Sequence, residues 1–221
     1  MSKVIITGGF GALGSAVTLA FTEAGHAVAL IDRATAPDSC VWPYVDGVDL
    51  TDPSASETAF QQARATLGGA DVLVNVAGSF TFELVSGSAG AWDAMFRSNL
   101  LTCANMCRAA LSALSDGGAI VNVGAAAAEK AGAGMGPYAA SKAGVARLTE
   151  SLAAELAGRI RVNAVLPLIM DTPQNRAEMP GADPLTWTSP AAVADAIVFL
   201  ASGAARAVNG VLLPVTAPSR P

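Results

Sequence analysis

The sequence is poor in the side chains that build metal centres and disulfide frameworks. It has one histidine and three cysteines, and Cys103 and Cys107 stand four residues apart rather than in a Cys-x-x-Cys motif. Three cysteines cannot all pair within one chain, and free cysteine is commonly a small buried residue. We therefore expect buried thiols and no metal site.

Charged residues are also scarce, at 14% of the chain, and their formal net charge is -5. An acidic chain lacks the basic surface that nucleic-acid phosphates require. No apolar run approaches the roughly 18 residues of a membrane-spanning helix, and the first predicted strand begins at Val4, which leaves no room for a signal peptide. We expect a cytoplasmic protein that binds neither nucleic acid nor membrane.

Hydrophobic residues, in contrast, make up 52% of the 221 residues, which fits one domain whose sheet is covered on both faces. Short apolar runs alternate with helical patterns along the whole chain. Strands are predicted at 4–6, 27–31, 72–76, 119–123, 161–165 and 211–215, and helices at 12–23, 53–66, 92–114, 138–157 and 190–201. The alternation predicts a single α/β domain over residues 1–221, with a doubly wound parallel sheet flanked by helices.

Residues 168–189 interrupt this alternation. Pro173, Pro180 and Pro184 stand there among polar residues, so we predict a long loop with short helical turns. Long loops in compact domains are often lids, and this one follows the carboxyl end of a strand, where open parallel sheets bind ligands. The segment is therefore predicted to be a substrate lid.

A glycine-rich octet, Thr7–Gly14, joins the first predicted strand to the first helix. Such a turn brings backbone N–H groups close to a dinucleotide pyrophosphate, although glycines also serve ordinary tight turns. Asp32 strengthens the first interpretation, because it ends the second strand, where a carboxylate accepts hydrogen bonds from the adenosine ribose. The predicted contacts within this Rossmann-type motif are Gly8, Phe10, Gly11, Ala12, Leu13 and Gly14.

Asp32 also bears on the choice of cofactor. Its charge would repel a 2′-phosphate, which favours NAD(H). Arg33 stands beside it and offers partial compensation, so NADP(H) is the alternative.

Tyr138 and Lys142 are four residues apart in a predicted helix and therefore share one face. The same spacing also arises from a core tyrosine with a surface lysine, so the pair alone does not decide. Hydride transfer needs a proton donor, and a phenol of pKa about 10 is a poor one unless a nearby cation stabilises its phenolate. Together with the octet, the pair predicts an NAD(P)-dependent oxidoreductase.

With these residues in place, the chain resembles the short-chain dehydrogenase/reductase family over essentially its whole length. Further matching segments are Asp49-Leu50, Asn75–Gly78, Asn99, Arg161–Pro167 and Asp171–Pro173. The resemblance implies that Asp49 and Leu50 bracket the adenine and that Ala77 and Gly78 pass under the cofactor.

The resemblance implies further roles around the nicotinamide. Pro167 to Thr172, including Ile169, would wrap the carboxamide, and Lys142 would bind the ribose. Asn99 would hold a water that relays protons to the lysine. A homodimer or homotetramer, paired through the two long helices, is also implied.

One departure from the family pattern concerns the substrate. Family members usually carry a serine thirteen positions before the tyrosine to hold the substrate oxygen, and here that position is Ala125. Losing one oxyanion donor typically costs on the order of 100-fold or more in rate. The substrate is therefore intrinsically electrophilic, or the protein is a degenerate member.

Quinonoid dihydropteridine reductases fit the first option, and the resemblance is closest in pattern to them. They share Gly124-Ala125, the run from Val165 through Asp171 to Arg176, and Trp187. Their quinonoid substrate is already primed to accept hydride, so the missing serine is tolerated.

Two alternatives stay open. The protein could be a dehydrogenase or reductase of another carbonyl or alcohol, with Ser141 or Thr81 in place of the serine. It could also be a cofactor-binding protein that has lost catalysis, although such a protein has no need of Tyr138 as a proton donor.

Overall fold

The computed structural model describes residues 1–217, which form a seven-stranded parallel sheet with helices on both faces. The strands are β1 (Lys3–Thr7), β2 (Ala27–Ile31), β3 (Tyr44–Val45), β4 (Val72–Asn75), β5 (Ala119–Val123), β6 (Arg161–Pro167) and β7 (Leu212–Val215). The helices are α1 (Ala12–Glu23), α2 (Pro53–Leu67), α3 (Gly90–Met95), α4 (Thr102–Leu111), α5 (Gly136–Glu155), α6 (Pro173–Glu178) and α7 (Pro190–Ala201). The predicted doubly wound α/β class is confirmed; the last four residues of the predicted domain lie outside the described part.

The strand order is β3-β2-β1-β4-β5-β6-β7, so the chain builds outward from β1 in one direction and then returns to build in the other. Thr7, at the end of β1, pairs with Ile31 of β2 on one side and Asn75 of β4 on the other. The crevice at such a reversal point is where open α/β sheets bind ligands. The topology thus places the octet at the edge where a site is expected.

Two separate apolar cores cover the sheet. One contains Phe60 of α2 and Met106 of α4, together with side chains of α5. The other contains Phe21 of α1 and Ile197 of α7. Burial on both faces explains why the strands are nearly continuous Val, Ile and Leu runs.

Both ends of α2 are set by capping residues. The Asp52 carboxylate caps the helix by accepting hydrogen bonds from the backbone N–H groups of Ser54 (2.7 Å) and Ala55 (3.3 Å). Gly68 follows the helix with φ of 68°, a conformation that glycine adopts without strain.

Two elements differ from the sequence-based expectation. The short edge strand β3 was not predicted, because two residues are too few to show a periodic pattern. The helix predicted at 92–114 is interrupted: α3 begins at Gly90, a π-helical turn spans Phe96–Leu101, and α4 ends at Leu111. Such turns are frequent at functional sites.

The structure also shows where the three cysteines lie. Cys103 and Cys107 are buried free thiols, as expected, whereas Cys40 is only half-buried. Within residues 1–217, no helix has both the length and the apolarity needed to cross a membrane. In the same range, no three His, Cys, Asp or Glu side chains are grouped closely enough to hold a metal ion.

Candidate active site

The octet is packed tightly on its sheet side and open on the other. Gly8 has φ of +67°, and a Cβ there would lie 2.9 Å from the backbone of Ala77. A Cβ at Gly14 would come within 2.0 Å of the Gly8 carbonyl oxygen. At Gly11, however, it would meet nothing nearer than 3.5 Å, so this edge of the turn is open to a ligand.

The amino end of α1, which the octet leads into, fits an anion. Among the described residues, no side chain caps this end, whereas Asp52 caps α2. Exposed N–H groups and the helix dipole favour negative charge at such an end. The open turn and the uncapped helix together fit the pyrophosphate of a dinucleotide.

Asp32 connects the octet to the end of β2. Its Oδ2 accepts the Phe10 N–H at 2.9 Å, and its Oδ1 accepts the Ala34 N–H at 3.0 Å. Each carboxylate oxygen accepts more than one hydrogen bond, so both keep capacity for ribose hydroxyls. Arg33 beside it is exposed and points away from the core.

Asp49 and Leu50 differ in what they can present to a ligand. Asp49 is exposed, and a hydrogen bond from the Thr51 N–H lowers the pKa of its carboxyl group. Leu50 is 5% exposed and lies in the core, and its carbonyl oxygen accepts from Asn105. The Ser56 hydroxyl donates to the same oxygen at 3.1 Å, so the backbone N–H is the group with which Leu50 can contact an adenine.

The segment after β4 is held against β1 by a hydroxyl. Thr7 Oγ1 accepts the N–H groups of Val76 and Ala77, both at 3.2 Å. A Cβ on the next residue, Gly78, would lie 2.6 Å from Asn99 Oδ1 and 3.4 Å from Lys142 Nζ. Gly78, Asn99 and Lys142 thus converge in the structure.

Asn99 lies within the π-helical turn and is 1% exposed. Its Oδ1 accepts the Ser79 N–H at 2.9 Å, and its Nδ2 donates to the Ser79 carbonyl oxygen and to Ser141 Oγ, both at 3.0 Å. The side chain therefore holds the segment after Gly78. The water relay expected of Asn99 stays a prediction.

Tyr138 and Lys142 lie in the first turns of α5, and burial shifts their pKa values in opposite directions. Lys142 Nζ donates to the Val123 carbonyl oxygen at 2.8 Å, and burial lowers the pKa of the ammonium group to about 8. Burial raises the pKa of Tyr138 to about 12. The phenol therefore holds its proton at neutral pH.

Phe80 lies against the candidate proton donor. Its ring meets the Tyr138 ring edge to face, with centroids 5.0 Å apart and an interplanar angle of 84°. Phe80 keeps 43% of its surface exposed. It therefore gives the surroundings of Tyr138 an apolar wall.

The serine position of the family holds a buried methyl group. Ala125 follows the end of β5 and is 4% exposed. Ser141, one of the two suggested substitutes, donates its hydroxyl proton to the Tyr138 carbonyl oxygen at 2.7 Å. Since that proton is committed, Ser141 does not replace the serine as an oxyanion donor; Thr81 is exposed on the loop after β4.

The predicted lid is joined at its base. The Thr188 N–H donates to the Ile169 carbonyl oxygen at 3.0 Å, and the Asp171 N–H donates to the Thr188 carbonyl oxygen at 2.9 Å. Thr172 is buried, and its hydroxyl caps α6 by accepting the Asn175 N–H. The buried Pro167 ends β6, so the residues expected around the nicotinamide lead from the sheet into this segment.

Sequence reasoning missed Ser79 as a partner of Asn99 and Phe80 as a partner of Tyr138. The hydrogen bonds of Asn99 join residues 20 and 42 positions apart, and no local pattern encodes such pairs. The π-helical turn that contains Asn99 also has no periodic pattern in the sequence by which it could be predicted.

Comparison with known proteins agrees with this geometry. The family model described as short chain dehydrogenase matches residues 2–182. The chain is 34% identical to cis-4-hydroxycyclohexanecarboxylate dehydrogenase of Sinomonas cyclohexanicum, over 96% of this chain and 93% of that protein.

Two solved structures extend the similarity to three dimensions. Ligand-free aldohexose dehydrogenase of Thermoplasma acidophilum is 28% identical, with a TM-score of 0.90 over 97% of this chain and 92% of that one. A blue fluorescent protein from a metagenomic library, solved in complex with NADPH, is 27% identical, with a TM-score of 0.87 over 98% of this chain and 97% of that one. The protein belongs to the short-chain dehydrogenase/reductase family.

Proposed function

We propose that this oxidoreductase uses NAD(P)H to reduce an activated acceptor, with a quinonoid dihydropterin as the candidate substrate. The observation that carries the proposal is the methyl group of Ala125 at the oxyanion position. Ala125 is a buried methyl group, and the Ser141 hydroxyl is committed to a backbone carbonyl. A substrate that already accepts hydride readily does not depend on that donor.

The residues of the chain divide the remaining work. When bound, a reduced nicotinamide supplies the hydride. Tyr138 gives its phenolic proton to the atom of the substrate that becomes basic as hydride arrives. Lys142 has three N–H donors, of which one is used on Val123, so two remain for the ribose and for the phenolate that forms.

The same proposal gives ligand-binding roles to the octet, to Asp32 and to residues 168–189. The octet and the uncapped end of α1 bind the pyrophosphate, Asp32 binds the adenosine ribose, and residues 168–189 close over the substrate. We further propose a cytoplasmic homodimer or homotetramer. As the family resemblance implies, the helices predicted at 92–114 and 138–157 would pair between subunits.

A second candidate is oxidation or reduction of an ordinary alcohol or carbonyl. The names of two similar proteins favour it, since one is a hydroxycyclohexanecarboxylate dehydrogenase and the other an aldohexose dehydrogenase. Such an activity requires an oxyanion donor other than Ser141. The two candidates therefore differ in how they depend on Ala125.

We expect NADH to bind more tightly than NADPH, because the Asp32 carboxylate repels a 2′-phosphate and accepts from a free ribose hydroxyl. Titration of both cofactors by intrinsic fluorescence measures the difference. The variant Asp32→Asn keeps an acceptor for the Phe10 N–H but loses the charge, so it should narrow the gap. Equal affinity of the wild-type protein for both cofactors would show that Arg33 offsets the charge of Asp32, and tighter binding of NADPH would show that Arg33 dominates.

Tyr138→Phe is expected to lower kcat by about 100-fold or more while cofactor affinity is kept, since only the proton donor is lost. The other tyrosine, Tyr44, lies in β3, and Tyr44→Phe is the matched control. Steady-state kinetics on the best acceptor, with a cofactor titration, separates the two effects. Retention of more than about a tenth of the wild-type kcat would place the proton donor elsewhere.

Reduction should slow as pH rises through about 8, because the buried Lys142 ammonium group loses its proton there. Tyr138, with a pKa of about 12, stays protonated over that range and does not cause the loss. The measurement is kcat/KM for the acceptor at saturating cofactor between about pH 6 and pH 10. Lys142→Arg should remove the inflection near pH 8, and a flat wild-type profile would contradict the assignment.

The proposed substrate class is tested by cofactor oxidation with four acceptors: a quinonoid dihydropterin, a quinone, a diketone and a simple ketone. The activated acceptors should be reduced well and the simple ketone poorly. Ala125→Ser restores an oxyanion donor, so it should raise activity on the ketone and leave the dihydropterin reaction within about 10-fold.

The other outcomes are equally decisive. Efficient reduction of the simple ketone by the wild-type protein would favour the second candidate and show that another group donates to the oxyanion. Binding of cofactor without turnover of any acceptor, and without rescue by Ala125→Ser, would favour a non-catalytic protein.

A further inference from the structure

The Ser141 hydroxyl lies between two functional parts of the site. It is fully buried, donates to the Tyr138 carbonyl oxygen at 2.7 Å, and accepts from Asn99 Nδ2 at 3.0 Å. A hydroxyl has one proton and two acceptor lone pairs. Ser141 therefore joins the backbone of the proton donor to the side chain of Asn99.

Both ends of the Asn99 amide hold the segment that would pass under the cofactor: Oδ1 accepts from the Ser79 N–H, and Nδ2, which also donates to Ser141, donates to the Ser79 carbonyl oxygen. Ser79 is bound through both its N–H, at 2.9 Å, and its carbonyl oxygen, at 3.0 Å. Because the Asn99 amide accepts one of these hydrogen bonds and donates the other, they fix both the orientation of the Ser79 segment and its distance from Asn99. We name Ser79, Asn99 and Ser141 the amide clamp.

The backbone next to the clamp is packed so tightly that the position of Asn99 affects its neighbours. A Cβ at Gly78 would lie 2.6 Å from Asn99 Oδ1, so the amide and the Gly78 backbone are already in close contact. A shift of Asn99 would therefore move the segment of Ala77 to Ser79. The same shift would change its distance from Tyr138, which lies on the other side of the clamp.

We infer that Ser141 is a positioning residue, which aligns Tyr138 with the Ala77–Ser79 segment by holding the amide of Asn99. The inference rests on the proposed function. Hydride and proton must reach neighbouring atoms of the substrate, and a misplacement of about 1 Å can cost about 100-fold in rate. The clamp sets that alignment before any ligand binds, because all three residues are already joined in the protein alone.

The chain offers a matched control in the same helix. Thr149 is also fully buried in α5, its Oγ1 donates to the Val145 carbonyl oxygen at 2.8 Å, and it accepts from Asn122 Nδ2 at 2.9 Å. Thr149→Val and Ser141→Ala each remove one hydroxyl and leave one buried amide donor without that acceptor. Both variants should therefore lose thermal stability, but only Ser141→Ala breaks the clamp.

Steady-state kinetics on the best acceptor then separates positioning from stability. Ser141→Ala should lower kcat by about 10- to 100-fold. Thr149→Val should keep kcat within about threefold of the wild-type value. Equal kcat values for the two variants would overturn the inference.

A second measurement does not depend on activity. In the protein without cofactor, the Ser79 amide proton is held by Asn99, so its hydrogen exchange, followed by NMR, should be slow. Ser141→Ala should speed that exchange by about 10-fold or more, and Thr149→Val should not. An unchanged Ser79 exchange rate in Ser141→Ala would show that the clamp does not need Ser141.

If Ser141→Ala does not fold, Ser141→Cys is the substitute, because a thiol of similar size is a much weaker acceptor. The same kinetic and exchange criteria then apply to it. Failure of the two proposals is distinguishable: a wild-type protein that reduces no acceptor contradicts the proposed function, whereas an active wild-type protein with an active Ser141 variant contradicts only the positioning role.

Discussion

The close approach of Gly8 to Ala77 is the constraint on which the rest of the site depends. No side chain fits between these two backbones, since a Cβ would lie 2.9 Å from Ala77, and the Thr7 hydroxyl ties the same two segments together. The end of β1 and the end of β4 are thereby held together at the point where the strand order reverses. Asp32 binds the octet on one side of this junction, and Asn99 holds Ser79 on the other.

Much of the fold was predictable because its signals are local. Valine- and leucine-rich runs mark strands buried on both faces, and Asp52 before Pro53 marks a helix start, so the order of elements follows from short windows of sequence. Asp32 at the end of β2 and the four-residue spacing of Tyr138 and Lys142 are local in the same sense. The amide clamp is not, because it joins three segments through side chains whose positions only the tertiary structure sets.

Burial of Tyr138 and Lys142 sets the protonation states of the two groups before any substrate is bound. A low-dielectric environment disfavours both the phenolate and the ammonium form, which raises the pKa of one group to about 12 and lowers that of the other to about 8. A proton-donating phenol is therefore the ground state of the site, whereas a phenolate that would abstract a proton from an alcohol has to be created. The raised pKa keeps Tyr138 protonated near neutral pH but also makes it a weaker acid, so proton transfer requires that the phenolate be stabilised as it forms.

In the proposed mechanism, Ala125 and the Tyr138–Phe80 pair offer little stabilisation of negative charge on the substrate, so the substrate itself must accept hydride readily. With the Ser141 hydroxyl committed to the backbone, Tyr138 is the donor that the proposed mechanism has for the reacting atom, and the ring of Phe80 covers one side of it with apolar surface. One buried donor stabilises less developing negative charge than two. Under the proposed function the acceptor is a conjugated one, which spreads the charge of the arriving hydride over its own framework and needs a single proton at one position.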